Sequence, residues 1–364
     1  MKKIFIVTGE LSGDLLGGWY MRKHCANQAV YVEAIGGDHL QQAGAHLYER
    51  FERLNVTGIV EIIKHIPRLL RFLSQLAAYI IEQQFDEVVV IDFPGFNIRL
   101  IKRLKHLCPT IKITYFSPPQ LWCWGAWRVA SLKKYCDQII VLYPFEVAWY
   151  AQRGLQVEWI GCPVYDRMQP YFEKAATKKR LIALVPGSRL SEIKTLLPIF
   201  ARVASALKLI YSDLQFIIPQ ASSISSDQFS RALKHSGLDK MGKDLIIVRD
   251  SDEKWQQFAH CSMALTKPGT VTLELALLKI PALVVFRVPR ITYWIAWFVV
   301  KVRFMALPNL LCKQEVYKEF IQHFSTDTLV REAQRLNESS IAHDASYLQM
   351  VGKLERLSKS LEKK

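Results

Sequence analysis

Short apolar runs rich in β-branched residues recur through the first half of the chain, at Ile4 to Val7, Tyr31 to Ile35, Glu87 to Ile91, Ile111 to Phe116 and Gln138 to Leu142. A strand that is apolar on both sides suits a parallel sheet covered on both faces. Longer segments with helical spacing, such as Ile66 to Ile81, separate these runs, and the alternation predicts a doubly wound α/β domain. Pro67 reads as a first-turn residue of that helix. After Gly161-Cys162-Pro163 the pattern lapses into the charged stretch Glu173 to Arg180, which predicts a linker near 166–179. The scheme then repeats with Leu181 to Val185, Leu214 to Ile218, Leu245 to Val248, Met263 to Thr266 and Ala282 to Phe286. The expected organisation is a Rossmann-like domain over 1–165, a second over 166–345 and a C-terminal helix over 346–364. The helix carries Leu354, Leu357 and Leu361 on one stripe and is expected to dock back; a homodimer contact and a fold onto the first domain are both open. Two such domains facing each other place a cleft at the carboxyl ends of their strands.

Composition narrows the class of ligand. Of 364 residues, 50% are apolar and 22% charged, which suits packed domains and excludes disorder. Lys and Arg number 48 against 33 Asp and Glu, a net +15, so a polyanion is expected among the ligands or surfaces. The basic residues of 68–72 and 290–303 are interleaved with apolar and aromatic ones, a mixture that favours lipid headgroups over nucleic acid. The seven cysteines contain no C-x-x-C pair and read as reduced thiols. Lys2 and Lys3 precede an apolar run that Gly9-Glu10 ends too early for a secretory signal, and Ile291 to Val300 is too short to span a bilayer. The chain is expected to touch a membrane without crossing it.

Candidate chemistry gathers where strands end. The first strand runs into Gly9-Glu10-Leu11-Ser12-Gly13-Asp14 and then Gly17-Gly18, glycines that let backbone amides approach a ligand at a helix start. The spacing is not that of the dinucleotide fingerprint, and a tight turn capped by Ser12 is the structural alternative. Asp92 follows a buried strand, and partial desolvation there would raise its pKa toward that of a general base, with a capping role as the alternative. Trp122, Trp124 and Trp127 leave another strand and suit sugar faces, acyl chains or plain core packing. In the second half, Pro186-Gly187-Ser188-Arg189 offers a guanidinium fork to a diphosphate. Lys267-Pro268-Gly269-Thr270 opens a helix whose first amides suit pyrophosphate, with Glu274 one turn on for ribose hydroxyls. Two apolar stripes with basic neighbours read as acyl or membrane contacts: Ile62, Ile63, Ile66, Leu69 and Leu70, and Trp294, Trp297 and Phe298. Packing of both stripes on the sheet is the alternative.

Taken in order, seven landmarks resemble the lipid-A-disaccharide synthase family: Gly9 to Asp14, Gly58-Ile59-Val60-Glu61, Asp92-Phe93-Pro94-Gly95-Phe96-Asn97, Ser117-Pro118 with Trp122 and Trp124, Leu184 to Arg189, Gly269 to Glu274, and Leu307-Pro308-Asn309-Leu310-Leu311. The resemblance implies two facing Rossmann-like domains of the GT-B type and an inverting, metal-independent glycosyltransferase without a cofactor. It implies UDP-2,3-diacylglucosamine as donor, 2,3-diacylglucosamine 1-phosphate as acceptor, and a β-1′,6-linked disaccharide phosphate plus UDP as products. The setting it implies is peripheral, on the cytoplasmic side of the inner membrane. Carried over by position, Asp92 is the catalytic base, and Ser12, Arg189 and Asn309 are further functional positions. Gly9, Glu10, Gly13, Asp14, Asn97, Gly187, Ser188, Lys267, Gly269, Thr270 and Glu274 line the substrates. Two departures stand out. Gly161-Cys162 replaces the family's usual Gly-His, and Thr266-Lys267-Pro268 replaces a small-residue turn, so Lys267 adds either a phosphate contact or a different turn. Competing readings are another UDP-N-acetylglucosamine transferase or epimerase of this fold and a non-catalytic basic membrane-binding protein.

Overall fold

Strand β4 (Glu87–Ile91) shows how the sequence builds the first sheet: all five residues are buried, with Val88 and Val90 in the core on one face and Val89 and Ile91 in the core on the other. The computed structural model describes residues 1–26, 28–53, 59–174, 178–249, 254–289 and 302–363, the side chains of 53, 59–66, 173 and 174 excepted. The chain divides into two compact units, Met1–Pro163 and Val164–Lys364.

In the first unit β1 (Lys2–Val7), β2 (Val30–Gly36), β3 (His46–Arg50), β4, β5 (Lys112–Phe116), β6 (Gln138–Val141) and β7 (Glu158–Trp159) form one parallel sheet in the order β3-β2-β1-β4-β5-β6-β7. Helices α1 (Leu11–His24), α2 (Asp38–Gln42), α3 (Ile59–Glu82), α4 (Pro94–Leu107), α5 (Val129–Tyr135) and α6 (Pro144–Ala151) connect the strands. The chain moves outward from β1 through β2 to β3, then returns to the centre and moves the other way from β4. That reversal leaves a gap between successive connections above the carboxyl ends of β1 and β4.

The second unit repeats the plan with β8 (Lys179–Val185), β9 (Gln215–Gln220), β10 (Leu245–Arg249), β11 (Cys261–Thr266), β12 (Ala282–Phe286) and β13 (Lys318–Ile321), parallel in the order β10-β9-β8-β11-β12-β13. Its helices are α7 (Pro163–Met168), which begins at the boundary, α8 (Leu190–Ile210), α9 (Ser226–Ser236), α10 (Lys254–Phe258), α11 (Thr270–Leu277), α12 (Leu307–Cys312), α13 (Thr326–Ala342) and α14 (Ala345–Leu361). The reversal here falls between β8 and β11. The two doubly wound sheets agree with the fold class expected from the alternation.

Three details differ from expectation. Pro67 lies inside α3, which starts at Ile59, because the apolar spacing continues upstream of the proline and outweighs its preference for a first turn. The stretch from 166 is not an open linker: α7 and a 3-10 turn over Gln169–Lys174 occupy it, anchored by buried Tyr165 and Met168. The leucine stripe of α14 is consumed within the second unit, where Leu354, Leu357 and Leu361 are buried and the helix packs on α11, α12 and α13. No helix among the described residues is long and apolar enough to cross a membrane.

Leu357 is 3% exposed, so Leu357→Ala removes buried methyl groups and leaves a cavity between α14 and its neighbours. The expected cost is about 2–5 kcal/mol of unfolding free energy, read from urea denaturation followed by tryptophan fluorescence.

Candidate active site

The first unit's site begins where β1 and β4 end side by side. Asp92 and Phe93 continue β4 in the left-handed region, at φ of 46° and 44°, and neighbouring Ser117 does the same after β5 at 52°. Three such non-glycine residues each cost of order 1–3 kcal/mol and persist only where surrounding bonds over-determine them. Those bonds are present. The Asp92 N–H donates to the Ser117 carbonyl at 3.2 Å. Its own carbonyl accepts from the Tyr115 hydroxyl and from Asn97 Nδ2, both at 2.8 Å. The backbone of Asp92 is therefore clamped while its carboxyl stays half-buried.

Burial is the main cause, and the charge of Glu10 the second, that pushes the Asp92 carboxyl up to about 6, against a backbone hydrogen bond from Phe93 that lowers it. Glu10 stands at the start of α1 and accepts a 2.6 Å hydrogen bond from Ser12 Oγ. Ser12 is exposed there and caps nothing.

The glycines beside them serve packing. A Cβ on Gly9 would lie 2.2 Å from Cγ of the Phe93 ring, and one on Gly13 would lie 3.2 Å from Thr8 Cβ. These two glycines admit a ring and a close helix.

Asp14 and Asn97, both expected among the substrate contacts, bond to backbone groups. Asp14 is fully buried and accepts from the backbone N–H groups of Gly37, His39 and Leu40 at 2.7, 2.9 and 3.2 Å, capping α2. Asn97 is fully buried, and its amide donates to the carbonyls of Ile91 and Asp92. It positions the Asp92 turn.

Beyond β5 the tryptophans divide. Trp122 is held by a 3.1 Å bond from Nε1 to Glu146, a buried carboxyl that also receives the N–H groups of Leu142 and Tyr143 and is pushed by burial up to about 7. Trp124 and Trp127 remain on the surface. In α3, Leu69 packs against the sheet's core whereas Leu70 stays exposed between the exposed Arg68 and Arg71. Leu69 thus follows the core-packing alternative. The side chains of Ile62, Ile63 and Ile66, and residues Trp294, Trp297 and Phe298, lie outside the described residues.

The second unit's site stands at the ends of β8 and β11. Gly187 has φ of 114°, and a Cβ there would meet Glu192 Oε2 at 2.3 Å. Glu192 sits between two cations: Lys267 Nζ at 2.6 Å from Oε1, and Arg189 Nη1 at 3.7 Å from the same oxygen. Arg189 is 72% exposed and is not neutralised by so distant and shared a partner. The cluster therefore carries one positive charge in excess. Ser188 is exposed, and its carbonyl accepts from Ser223 Oγ at 2.8 Å. Gly269, at φ of 144°, leads into Thr270 at the exposed start of α11.

Glu274, deeper in α11, is paired with Arg167 from α7. Arg167 lay in the stretch read as linker, and no motif marks it. Asn309, carried over as a functional position, lies in α12. It is fully buried, donates to the Tyr317 carbonyl and to Glu319, each at 2.7 Å, and accepts the N–H groups of Val316 and Tyr317. Glu319 in turn receives the N–H groups of Met305 and Ala306, and the next residue, Leu307, donates to Thr272 Oγ1 at 3.2 Å. Asn309 braces the segment on which the start of α11 leans.

Two stability contrasts follow. Asp14→Ala and Asn309→Ala each leave several buried groups unpaired and should cost about 2–4 kcal/mol in urea unfolding, whereas Ser12→Ala should change it by under about 0.5 kcal/mol. Asp92→Asn should act in the opposite sense. Its folded pKa of about 6 lies above the ordinary carboxylate value, so the stability associated with protonation is full at low pH and lost as pH rises through about 6. Asp92→Asn should therefore stabilise the protein at pH 7.5 and leave stability near pH 3.5 unchanged, measured as urea midpoints at both pH values.

Comparison with known proteins places the chain. A family model described as lipid-A-disaccharide synthetase matches residues 4–363. A lipid-A-disaccharide synthase of Trichlorobacter lovleyi is 32% identical over 88% of this chain and 84% of its own length. One from Coxiella burnetii is 28% identical over 100% and 95%. Among solved structures, UDP-N-acetylglucosamine 2-epimerase from Rickettsia bellii is similar with a TM-score of 0.61 at 13% identity, covering 99% of this chain and 94% of that one. The enzyme of that name from Neisseria meningitidis, bound to UDP-GlcNAc, gives 0.58 at 12%, covering 99% of each chain. At such identities the epimerases share the fold alone, while the family model and the relatives carry the assignment: the chain belongs to the lipid-A-disaccharide synthetase family and is a glycosyltransferase.

Proposed function

We propose that this glycosyltransferase joins the diacylglucosamine of UDP-2,3-diacylglucosamine to 2,3-diacylglucosamine 1-phosphate, giving the β-1′,6-linked disaccharide 1-phosphate and UDP. The observation that carries the mechanism is Asp92: a carboxyl at the end of a central strand, clamped through its backbone, with a pKa raised to about 6. A base of that strength is ionised at neutral pH yet more basic than an exposed carboxylate. Asp92 takes the proton of the acceptor 6-hydroxyl as that oxygen attacks the donor's anomeric carbon on the face opposite UDP. The bond from that carbon to the diphosphate oxygen breaks, and its electron pair leaves with UDP, inverting the centre. The first unit thus holds the acceptor and the second the donor.

The leaving diphosphate gains negative charge as the bond breaks. In the second unit Arg189, Lys267 and the first amides of α11 answer that charge, and Gly187 and Ser188 supply the turn that presents them. Glu274, oriented by Arg167, accepts the ribose hydroxyls. In the first unit Glu10 and Ser12 orient the acceptor sugar beside Asp92. Both substrates carry acyl chains, so a peripheral position on the cytoplasmic face of the inner membrane fits the reaction. Exposed Leu70, flanked by Arg68 and Arg71, supports such a contact.

UDP release and disaccharide formation in neutral detergent micelles test the reading. Asp92→Ala should lose about 10²–10⁴ in kcat with the fold retained. The wild-type kcat/KM should fall as pH drops through about 6, where the base becomes protonated. Glu10→Gln should move that acid limb to lower pH, because removing the nearby negative charge makes Asp92 a weaker base. Full activity in Asp92→Ala would refute the mechanism, and epimerised UDP-sugar without disaccharide would replace the substrate assignment.

A further inference from the structure

Arg128 of the first unit has no acidic partner among the described residues. The loop leaving β5 closes in a 3-10 turn over Ala126–Arg128 after Gly125 takes a left-handed φ of 81°. The Arg128 guanidinium lies 4.4 Å from the ring centre of Trp124 and 5.6 Å from that of Trp127. Both indoles are on the surface, 41% and 69% exposed. Among the described residues no carboxylate pairs with Arg128, and its buried Nη1 has no hydrogen-bond partner. Arg50 and Arg180, by contrast, each hold an aspartate at 2.7 and 2.8 Å. Stacking fixes the plane of a guanidinium and leaves its N–H edge to recognise an oxyanion in two-point fashion.

The position of this cation is informative. Burial first, and the Asp92 charge second, raise the proton affinity of the Tyr115 hydroxyl, and Arg128 opposes them. That hydroxyl donates to the Asp92 carbonyl at 2.8 Å. One phenol therefore feels both the base and the stacked arginine, which stand at the same end of the sheet. In the acceptor sugar the 6-hydroxyl is carried by an exocyclic carbon attached to the ring carbon on one side of the ring oxygen, and the anomeric phosphate hangs from the ring carbon on the other side. A base for the first and a ligand for the second must then lie within one sugar of each other.

We infer that Arg128 binds the anomeric phosphate of the acceptor and makes the enzyme select phosphorylated acceptors. The inference rests on the acceptor assignment made above. A phosphate of a lipid headgroup shares the same chemistry, so the test separates the two sources.

Steady-state kinetics in neutral detergent micelles would compare the diacylated acceptor bearing the 1-phosphate with the same sugar bearing a free 1-hydroxyl. Wild type should prefer the phosphorylated acceptor by about 10- to 100-fold in kcat/KM, the scale of a lost charged hydrogen bond. Arg128→Gln should raise KM for that acceptor by a similar factor, leave the 1-hydroxyl acceptor and the donor KM unchanged, and so erase the preference. Arg128→Lys, which keeps the charge without the fork, should recover part of it. Equal losses on both acceptors, or a wild type that does not distinguish them, would overturn the inference. So would weaker sedimentation of Arg128→Gln with phosphatidylglycerol vesicles alongside intact acceptor preference, which would assign the arginine to headgroups. Disaccharide formed with unaltered selectivity in Arg128→Gln sinks this inference alone, whereas no disaccharide from wild type with either acceptor sinks the functional reading with it.

Discussion

The reversal of strand order at the centre of each sheet is the constraint on which the rest depends. Strands β1 and β4 are neighbours in space although β2 and β3 intervene in the chain, and β8 and β11 are separated by β9 and β10 in the same way. Their connections leave in opposite directions, so backbone polar groups and side chains at these strand ends have no covering element of their own. Glu10 and Asp92 meet at one reversal, and Arg189, Glu192 and Lys267 at the other. Chemistry gathers there because the topology leaves those ends open.

At the first reversal the protein holds an unfavourable arrangement by many bonds. Left-handed backbone at Asp92, Phe93 and Ser117, a half-desolvated carboxyl and a like charge at Glu10 all oppose folding locally. Tyr115 and Asn97 offset them by bonding to the Asp92 carbonyl. A more stable turn would carry a weaker base. The same division of labour recurs in the second unit, where Asn309 and Glu319 hold the segment behind α11.

The central strands and the edge strand β10 were legible in the amino-acid pattern, and the other three edges were not. Strands β3, β7 and β13, which the apolar runs did not reveal, are all edge strands. An edge strand has one neighbour and partial cover, so His46–Arg50 alternates between exposed and half-buried positions and Glu158–Trp159 is only two residues long. The turns at strand ends could likewise be located, because an apolar run that stops at Gly, Ser or Asp marks its own end. What each polar residue bonds to could not be read. Asp14, Asn97 and Asn309 sit inside motifs that also contain exposed groups, and only the fold shows that their partners are backbone amides and carbonyls and, for Asn309, the Glu319 carboxylate as well. Arg167 pairs with Glu274 across more than a hundred residues of sequence, a relation that no local pattern records.

The ring of Phe93 occupies the space that a side chain on Gly9 would need. Positions 9 and 93 therefore cannot drift independently during descent. A lineage that acquires any side chain at position 9 must first shrink position 93, and a smaller residue at 93 loosens the turn that carries Asp92. The two residues form an evolutionary ratchet, in which the glycine of one motif is kept by the aromatic residue of another far along the chain.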